Sequence, residues 1–212
     1  MNAVIINLAT EGYKNGQDRL KESLRNFWGK CFLCFNDEKS IGAPLHSENP
    51  YAFKIYAFKK ALKLGYKQVL WIDASFFAVR FIEPLFDEIL AKKQMFFRDG
   101  FSVADFINDS CLVYFKKSKE ELKQVPMVMG GFIGLDFNSA LSHDFLNLWE
   151  QAALNGAFKG SWKDHRHDQT CASIIINNLK IPSLKAREYC AYIGESYGQP
   201  LQSVFFHVQG IA

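Results

Sequence analysis

Residues 69–75, Val69-Leu70-Trp71-Ile72-Asp73-Ala74-Ser75, join four consecutive apolar side chains to a carboxylate, a small residue and a hydroxyl. Such an apolar run is typical of a strand that is buried on both faces. A carboxylate at the end of a buried strand is costly unless it is paired or bound to a metal. Asp73 is therefore either an ordinary turn or helix-capping residue or part of a site, and the rest of the chain decides between these interpretations.

Strands and helices alternate up to this stretch. The hydrophobic pattern predicts strands at 3–8, 31–35 and 69–72 and helices at 17–28 and 51–64. This order is typical of an α/β fold, and it predicts a central, mostly parallel mixed sheet that is flanked by helices, as in Rossmann-like domains.

The carboxyl ends of parallel strands are the expected place for a ligand. In such sheets ligands bind beyond these strand ends. The loop at 9–16 and the turn at 73–75 each follow a strand, so both should lie at one edge of the molecule. In the helix at 51–64, four lysines are expected to face outwards: Lys54, Lys59, Lys60 and Lys63.

The second half of the chain is less regular. Its predicted elements are helices at 82–92, 103–115, 139–154 and 170–179 and strands at 94–97, 127–136 and 204–206. Glycines interrupt the strand at 127–136, and glycines inside a strand mark a bulge or the close approach of another group. With no internal repeat or linker, residues 1–212 are expected to form a single domain, which would also fit the first domain of a longer protein.

The overall composition is that of an ordinary globular protein. The 212 residues are 49% apolar and 22% charged, and the net charge of +3 is too small to predict a nucleic-acid partner. No apolar run is long enough for a transmembrane segment. The five cysteines are irregularly spaced, so we expect reduced thiols and a cytoplasmic location, in the host cytoplasm if the protein is viral.

Three polar features interrupt the apolar pattern: Asp73 with Ser75, the cluster at 164–169, and His207. Oxygen ligands favour Mg²⁺ or Mn²⁺, and an added imidazole shifts the preference towards Mn²⁺. The spacing alone does not bring these groups together. The cluster could equally be a solvated loop that caps the next helix, and His207 could be an ordinary histidine.

The opening stretch resembles the metal-binding strand end of GT-A-fold glycosyltransferases, in which an apolar strand ends in Asp-x-Asp. Here Ser75 stands in place of the second acid. The segment His207-Val208-Gln209-Gly210 resembles the His-x-x-Gly of the glycogenin-like retaining members, whose histidine is a further metal ligand. The length of the chain is similar to that of compact viral members.

Three further segments extend the resemblance, in family order, over nearly the whole chain. Residues 5–10, followed by Tyr13, resemble the first strand and the loop that holds the nucleotide base. Residues 129–132 resemble the glycine-rich strand beneath the sugar and acceptor. The sequence His167-Asp168-Gln169 resembles the Asp-Gln pair that opens a late helix beside the sugar.

The resemblance implies a metal-dependent transferase that moves a sugar from a UDP-sugar to a glycan or glycoprotein acceptor, and the chain end tilts the expectation towards retention. The implied metal ligands for Mn²⁺ or Mg²⁺ are Asp73, Ser75 and His207. The implied donor-binding residues are Asn7, Leu8, Ala9, Thr10, Tyr13, Lys54, Asp73, Ala74, Ser75, Gly130, Gly131, His165, Arg166 and Gln169.

Sugar transfer needs stabilisation of two charges. Negative charge grows on the leaving diphosphate, which a cation would neutralise, and a carboxylate stabilises the oxocarbenium-like centre. Asp168 is the first candidate for that carboxylate, as base, nucleophile or electrostatic stabiliser, and Asp136 and Asp109 are the runners-up.

Two other classes of function remain open. A nucleotidyltransferase would also combine a nucleotide-binding sheet with a metal carboxylate, but the loop at 9–16 lacks the glycine-rich, basic character that a triphosphate favours. A non-catalytic module that binds sugar or protein would explain the missing acid at position 75.

Overall fold

The computed structural model describes residues 2–193 and 204–209. Gly210 of the predicted His-x-x-Gly segment lies outside these residues. The helices are α1 (Lys14–Phe27), α2 (Phe53–Lys63), α3 (Glu83–Lys92), α4 (Asp109–Phe115), α5 (Ala140–Leu154) and α6 (His167–Asn178). The strands are β1 (Ala3–Leu8), β2 (Phe32–Phe35), β3 (Gln68–Ile72), β4 (Phe76–Ala78), β5 (Gln94–Ser102), β6 (Pro126–Asp136), β7 (Leu184–Lys185), β8 (Cys190–Tyr192) and β9 (Phe206–Val208).

Within the described residues, the central sheet has six strands in the order β2-β1-β3-β6-β5-β7. Strand β1 pairs in parallel with β2 and β3, β7 pairs in parallel with β5, and β6 is antiparallel to both of its neighbours. The predicted α/β fold with a mixed, mostly parallel sheet flanked by helices is therefore confirmed. None of the helices in residues 2–193 and 204–209 is both long and apolar enough to cross a membrane.

The opening stretch contributes to both faces of this sheet. Along β3, the side chains of Val69 and Trp71 enter the core beneath α2, α5 and α6. Leu70 and Ile72 enter the opposite core, with apolar residues of α1 and α3. This alternation is the period of a strand, and it explains why four apolar residues in a row are needed here.

Helix α2 differs from the prediction in its start and in its buried face. Tyr51 has a φ of +60°, which no helix interior accommodates, and the helix begins at Phe53. Lys54 was expected to face outwards but is 2% exposed. Its position, four residues before Phe58 and seven before Ala61, places it on the same helical face as these buried residues.

Two short strands that the sequence pattern did not predict, β4 and β8, form a small sheet with β9 in the order β4-β9-β8. Strand β9 is antiparallel to β4, with His207 opposite Phe77. The backbone N–H of Gln209 donates to the carbonyl of Ser75 at 2.9 Å. This pairing brings residues 206–209 to the turn that follows β3.

The turn at 73–75 also contacts the first turns of α1. A Cβ atom at Gly16 would lie 2.4 Å from the backbone oxygen of Ala74. Only a glycine allows this approach, because real Cβ atoms do not come so close to backbone atoms. Helix α1 therefore fixes the turn from one side, and β9 fixes it from the other.

We expect the substitution Gly16→Ala to destabilise the protein. The added methyl group overpacks a rigid contact, which typically costs about 1–3 kcal/mol, and the loss should appear as a lower melting temperature. The matched control is Gly12→Ala, because a Cβ atom at Gly12 meets nothing within 4 Å. Equal melting temperatures for the two variants would contradict the contact.

Candidate functional site

Asp73 is held at the carboxyl end of β3 by three neighbours. Its backbone N–H donates to the carbonyl of Gly131 at 2.9 Å, which continues the pairing of β3 with β6. The indole N–H of Trp71 donates to Asp73 Oδ1 at 2.6 Å, and Lys54 Nζ lies 3.6 Å from the same oxygen. Among the described residues, no hydrogen bond reaches Oδ2, so this oxygen is available to a ligand.

Lys54 is the centre of the polar cluster. Its Nζ donates to Asp168 Oδ2 at 2.9 Å and to the carbonyl of Gly130 at 2.9 Å. Burial lowers the pKa of Lys54, but the carboxylates of Asp168 and Asp73 outweigh this effect and raise the pKa to about 12. The lysine is therefore charged at neutral pH.

The charges of this cluster do not cancel. Two carboxylates and one ammonium sum to −1 when all three groups are ionised. Burial raises the pKa of Asp73, although the nearby ammonium of Lys54 and the indole of Trp71 oppose that rise. When all three groups are ionised, one carboxylate charge has no partner in the cluster. A cation, or a positively charged centre of a substrate, could bind there.

Two adjacent glycines of β6 make room for the cluster. A Cβ atom at Gly130 would lie 2.9 Å from Asp168 Oδ2 and 3.1 Å from Lys54 Nζ. A Cβ atom at Gly131 would lie 3.0 Å from Asp73 Oδ2. The predicted close approach at these glycines is therefore present, and the approaching groups are the charged side chains of the cluster together with the ring of Phe76, whose Cε2 would lie 2.9 Å from a Cβ atom at Gly131.

A cavity of about 120 Å³ opens beside Asp73. Its lining comes from the end of β1 and the loop after it, from the turn after β3, and from the segment before α2. The lining residues are Leu8, Ala9, Thr10, Tyr13, His46, Tyr51, Phe53, Asp73, Ala74 and Ser75. The expectation that residues 9–16 and 73–75 share one edge is therefore confirmed.

The size and character of this cavity limit what it can bind. It is smaller than the ~300–1,000 Å³ that encloses a whole drug-sized ligand, so it would accommodate one ring while the rest of the ligand lies over open surface. Its walls are mainly apolar and aromatic, with Asp73 at one end. A flat heterocycle joined to an anionic or sugar-bearing group fits this combination.

The aromatic wall of the cavity was missed by the sequence analysis. The ring of Tyr51 lies 4.5 Å from that of His46 and 6.0 Å from that of Phe53. Burial raises the pKa of Tyr51 to about 12, and burial lowers the pKa of His46, with the nearby His167 adding to the effect. The close spacing of these three aromatic residues in the sequence was the available signal, but the hydrophobic pattern assigns Tyr51 and Phe53 to the helix at 51–64 and leaves His46 outside any predicted element.

The three predicted metal ligands lie on backbone segments that pair with each other or follow one another in the chain. Ser75 follows Asp73 by two residues and lines the cavity, and the pairing of β4 with β9 places His207 opposite Phe77. A carboxylate oxygen, a hydroxyl and an imidazole are suitable donors for Mn²⁺ or Mg²⁺. The donor types and the negative charge of the cluster therefore fit a divalent cation.

A second set of potential ligands lies elsewhere. Among the described residues, one group of three side chains could hold a metal ion, because their ligand atoms all lie within 4.8 Å of one another. Its members are Cys111, His165 and Cys171, all buried. His165 was predicted to contact the donor phosphates, but it is fully buried and its Nε2 lies 2.7 Å from the carbonyl of Ala157. It is therefore separated from the cavity.

Two other predicted site residues are also remote or occupied. Asp136 pairs with Gln68, five residues before Asp73 and about 16 Å away along the strand, where Lys93 neutralises it at 3.2 Å. The side chain of Asn7 is buried and already satisfied, because it donates to the carbonyl of Ile72 and accepts from Gln17. The runner-up Asp109 is an exposed residue in the first turn of α4.

The predicted motif at the start of α6 is divided between the interior and the surface. Asp168 is 1% exposed and joins the buried cluster. Gln169 lies near it, since its Cβ atom is 3.5 Å from a Cβ atom built at Gly130. Arg166 remains at the surface, where its guanidinium lies 4.3 Å from the ring of Trp162 and 4.2 Å from that of Phe106.

The fold is shared with a glycosyltransferase of known structure. The crystal structure of a glycosyltransferase involved in the glycosylation of the major capsid of PBCV-1 superposes with a TM-score of 0.57 at 11% sequence identity, over 97% of this chain and 92% of that chain. At this identity the likeness shows the fold alone. No protein-family model and no curated protein sequence matches the chain.

Removing the ammonium group of Lys54 should destabilise the protein strongly. The substitution Lys54→Met leaves two carboxylates without their partner, and breaking a buried ion pair in this way costs about 3–5 kcal/mol of unfolding free energy. Denaturant unfolding followed by tryptophan fluorescence measures this loss. The double variant Lys54→Met with Asp168→Asn should lose less than the sum of the two single losses.

The control for this measurement is Lys59→Met. Lys59 is on the same helix and pairs with Glu150 at 2.6 Å, but its side chain is 48% exposed, and such pairs contribute less than about 1 kcal/mol. A cost at Lys54 no larger than that at Lys59 would contradict the assignment of Lys54 as the centre of the cluster.

Proposed function

We propose that this protein is a GT-A-type, metal-dependent glycosyltransferase that moves a sugar from a UDP-sugar to a glycan or glycoprotein acceptor. The observation that carries the proposal is the aromatic cavity that ends on Asp73, at the carboxyl ends of β1 and β3. Ligands of open α/β sheets bind at this edge. The shared fold with a glycosyltransferase supports the same conclusion.

The nucleotide base is assigned to the cavity. Tyr13, which is 44% exposed, and the other rings that line the cavity offer a stacking surface for one heterocycle. The backbone of Leu8 and Ala9 would read the edge of the base. We propose uracil as this base because the sequence resembles a family that uses UDP-sugars.

The diphosphate is assigned to the region beside Asp73. A divalent cation bound there by Asp73, Ser75 and His207 would neutralise the charge that grows on the leaving diphosphate. With one carboxylate fewer than the Asp-x-Asp pattern, the protein supplies few ligands, and the phosphates of the substrate supply the others. We therefore expect the metal and the nucleotide to bind together.

Lys54 and Asp168 act as a pair in this proposal. Lys54 is charged and held by Asp168 at 2.9 Å, so its ammonium is fixed towards Asp73. Because Asp168 is buried, its geometry favours the electrostatic role over those of base and nucleophile. Its negative charge would stabilise the positive sugar centre. We keep the expectation that the transferred sugar retains its anomeric configuration.

The two alternative functions make different predictions. A nucleotidyltransferase would release pyrophosphate when given a sugar phosphate and UTP. A non-catalytic sugar-binding module would bind sugar without any dependence on UDP or Mn²⁺, which titration calorimetry in the presence and absence of each would detect. The cytoplasm is the proposed location, because all five cysteines, which lie in the described residues, are free.

The proposal predicts that UDP together with Mn²⁺ raises the melting temperature of the protein. A ligand that binds only the native state stabilises it by about 2.7 kcal/mol at a concentration one hundred times its Kd. The substitution Asp73→Asn should abolish the shift, because it removes the charged metal ligand.

A matched control is Asp144→Asn, which changes an exposed carboxylate of α5 and should leave the shift intact. The proposal would be wrong if no nucleoside diphosphate produced a shift with Mn²⁺ or Mg²⁺ in the wild-type protein.

A further inference from the structure

An exposed tryptophan lies next to the cavity. Trp162 is 47% exposed, whereas the other three tryptophans, Trp28, Trp71 and Trp149, are at most 2% exposed. The ring of Trp162 lies 5.6 Å from the ring of Tyr51, which lines the cavity. The exposed indole is therefore continuous with the wall of the proposed donor site.

Trp162 is held in place by its neighbours. Its ring lies 5.6 Å from that of His167, and the rings of His167 and Tyr51 are also 5.6 Å apart, so the three rings form a triangle. The guanidinium of Arg166 stacks on the indole at 4.3 Å and donates to the backbone carbonyl of Trp162. The indole is thus a rigid surface and needs little ordering when it binds a ligand.

Two residues of the triangle have a backbone conformation that is energetically costly for non-glycine residues. Tyr51 has a φ of +60° and His167 a φ of +43°, and non-glycine residues adopt this left-handed region rarely. Both residues of the triangle that flank Trp162 are in this conformation. Such strain is concentrated at binding and catalytic sites, where it fixes side chains that packing alone would not place.

The chemistry of this surface fits a carbohydrate. A pyranose or furanose ring has an apolar C–H face that packs on an aromatic ring, and hydroxyl groups at its edge that need polar partners. Trp162 offers the aromatic surface. Arg166 lies between Trp162 and Phe106, and a guanidinium carries five N–H donors in a fixed plane, which makes it a suitable partner for the hydroxyls.

The position of the surface distinguishes an acceptor from a donor. His167 immediately precedes Asp168, and Tyr51 lies beneath the ammonium of Lys54, with 5.1 Å between Nζ and the ring centre. The triangle therefore adjoins the charged cluster where transfer would take place, and of its three rings only that of Tyr51 is among the residues that line the cavity. A sugar resting on Trp162 would reach the cluster from outside the donor cavity.

We propose that Trp162, supported by Tyr51, His167 and Arg166, is the acceptor-binding platform and that the acceptor presents a sugar ring to it. The role of the bound sugar as an acceptor rests on the proposed transferase function. The binding of a sugar to Trp162 does not depend on that function. Trp162 and Arg166 would bind the sugar directly, whereas Tyr51 and His167 would hold the indole in place.

The test uses methyl glycosides of neutral hexoses and pentoses as probes, in the presence and absence of UDP with Mn²⁺. Binding is measured by saturation-transfer NMR and by the fluorescence of the exposed Trp162, since the other tryptophans are buried. We expect at least one glycoside to bind. The substitution Trp162→Ala should weaken its binding about tenfold, and Trp162→Phe should keep most of the affinity.

Two controls separate this proposal from the proposed function. Phe81→Ala removes a ring that is 65% exposed and packs on Phe27 of α1, and it should not change glycoside binding. Trp162→Ala should leave the UDP-dependent rise in melting temperature unchanged. Should that rise be missing in the wild-type protein while glycosides still bind through Trp162, the transferase proposal fails and the platform stands.

The platform is overturned by any of three results. The first is that no methyl glycoside binds the wild-type protein. The second is that Trp162→Ala leaves glycoside binding unchanged. The third is that Trp162→Ala removes the UDP-dependent shift in melting temperature, which would make the indole part of the donor site.

Discussion

The buried ammonium of Lys54 is the interaction on which the site depends. It joins α2 to the first turn of α6 through Asp168, to β6 through the carbonyl of Gly130, and to the end of β3 through Asp73. Each carboxylate would be costly to desolvate alone, and the lysine would be equally costly without them. The three charges therefore require one another, and together they fix four elements of the fold, α2, α6, β6 and the end of β3, around a point at the edge of the sheet.

This constraint also explains features that are otherwise unrelated. Gly130 is small because a side chain there would displace Asp168 and Lys54, and a side chain at Gly131 would displace Asp73 and the ring of Phe76. Helix α6 begins where Asp168 can reach the lysine, and His167 before it takes a strained backbone conformation. The aromatic cavity and the exposed indole lie on adjacent sides of the same cluster, so that a nucleotide and a sugar acceptor could meet there. With all three groups ionised the cluster carries a charge of −1, which suits a reaction in which positive charge develops on a sugar.

Local patterns predicted much of the fold, because the period of a strand or helix is visible in the sequence. The buried run of β3 and the acid at its end are examples. Lys54 shows the limit of this approach. Lysines are mostly exposed, and its partner Asp168 is 114 residues away, so only the assembled fold reveals the pairing. Asp136 and His165 lie away from the cavity, which the sequence did not reveal for the same reason. Strand register and helix packing decide which polar residues converge. The ring of His46 was missed because the segment that carries it has no regular period, and that of Tyr51 because the pattern assigned this residue to the helix, which in the structure begins only at Phe53.

A crystal structure with UDP and Mn²⁺ tests the central claim most directly. We expect an anomalous peak for manganese at direct coordination distance from a carboxylate oxygen of Asp73, with His207 as a further ligand, the uracil ring in the cavity beside Tyr13, and Lys54 still bound to Asp168. Nucleotide bound elsewhere on the protein, or manganese bound to the nucleotide without contact to Asp73, would contradict the claim that the buried cluster assembles a sugar-nucleotide site.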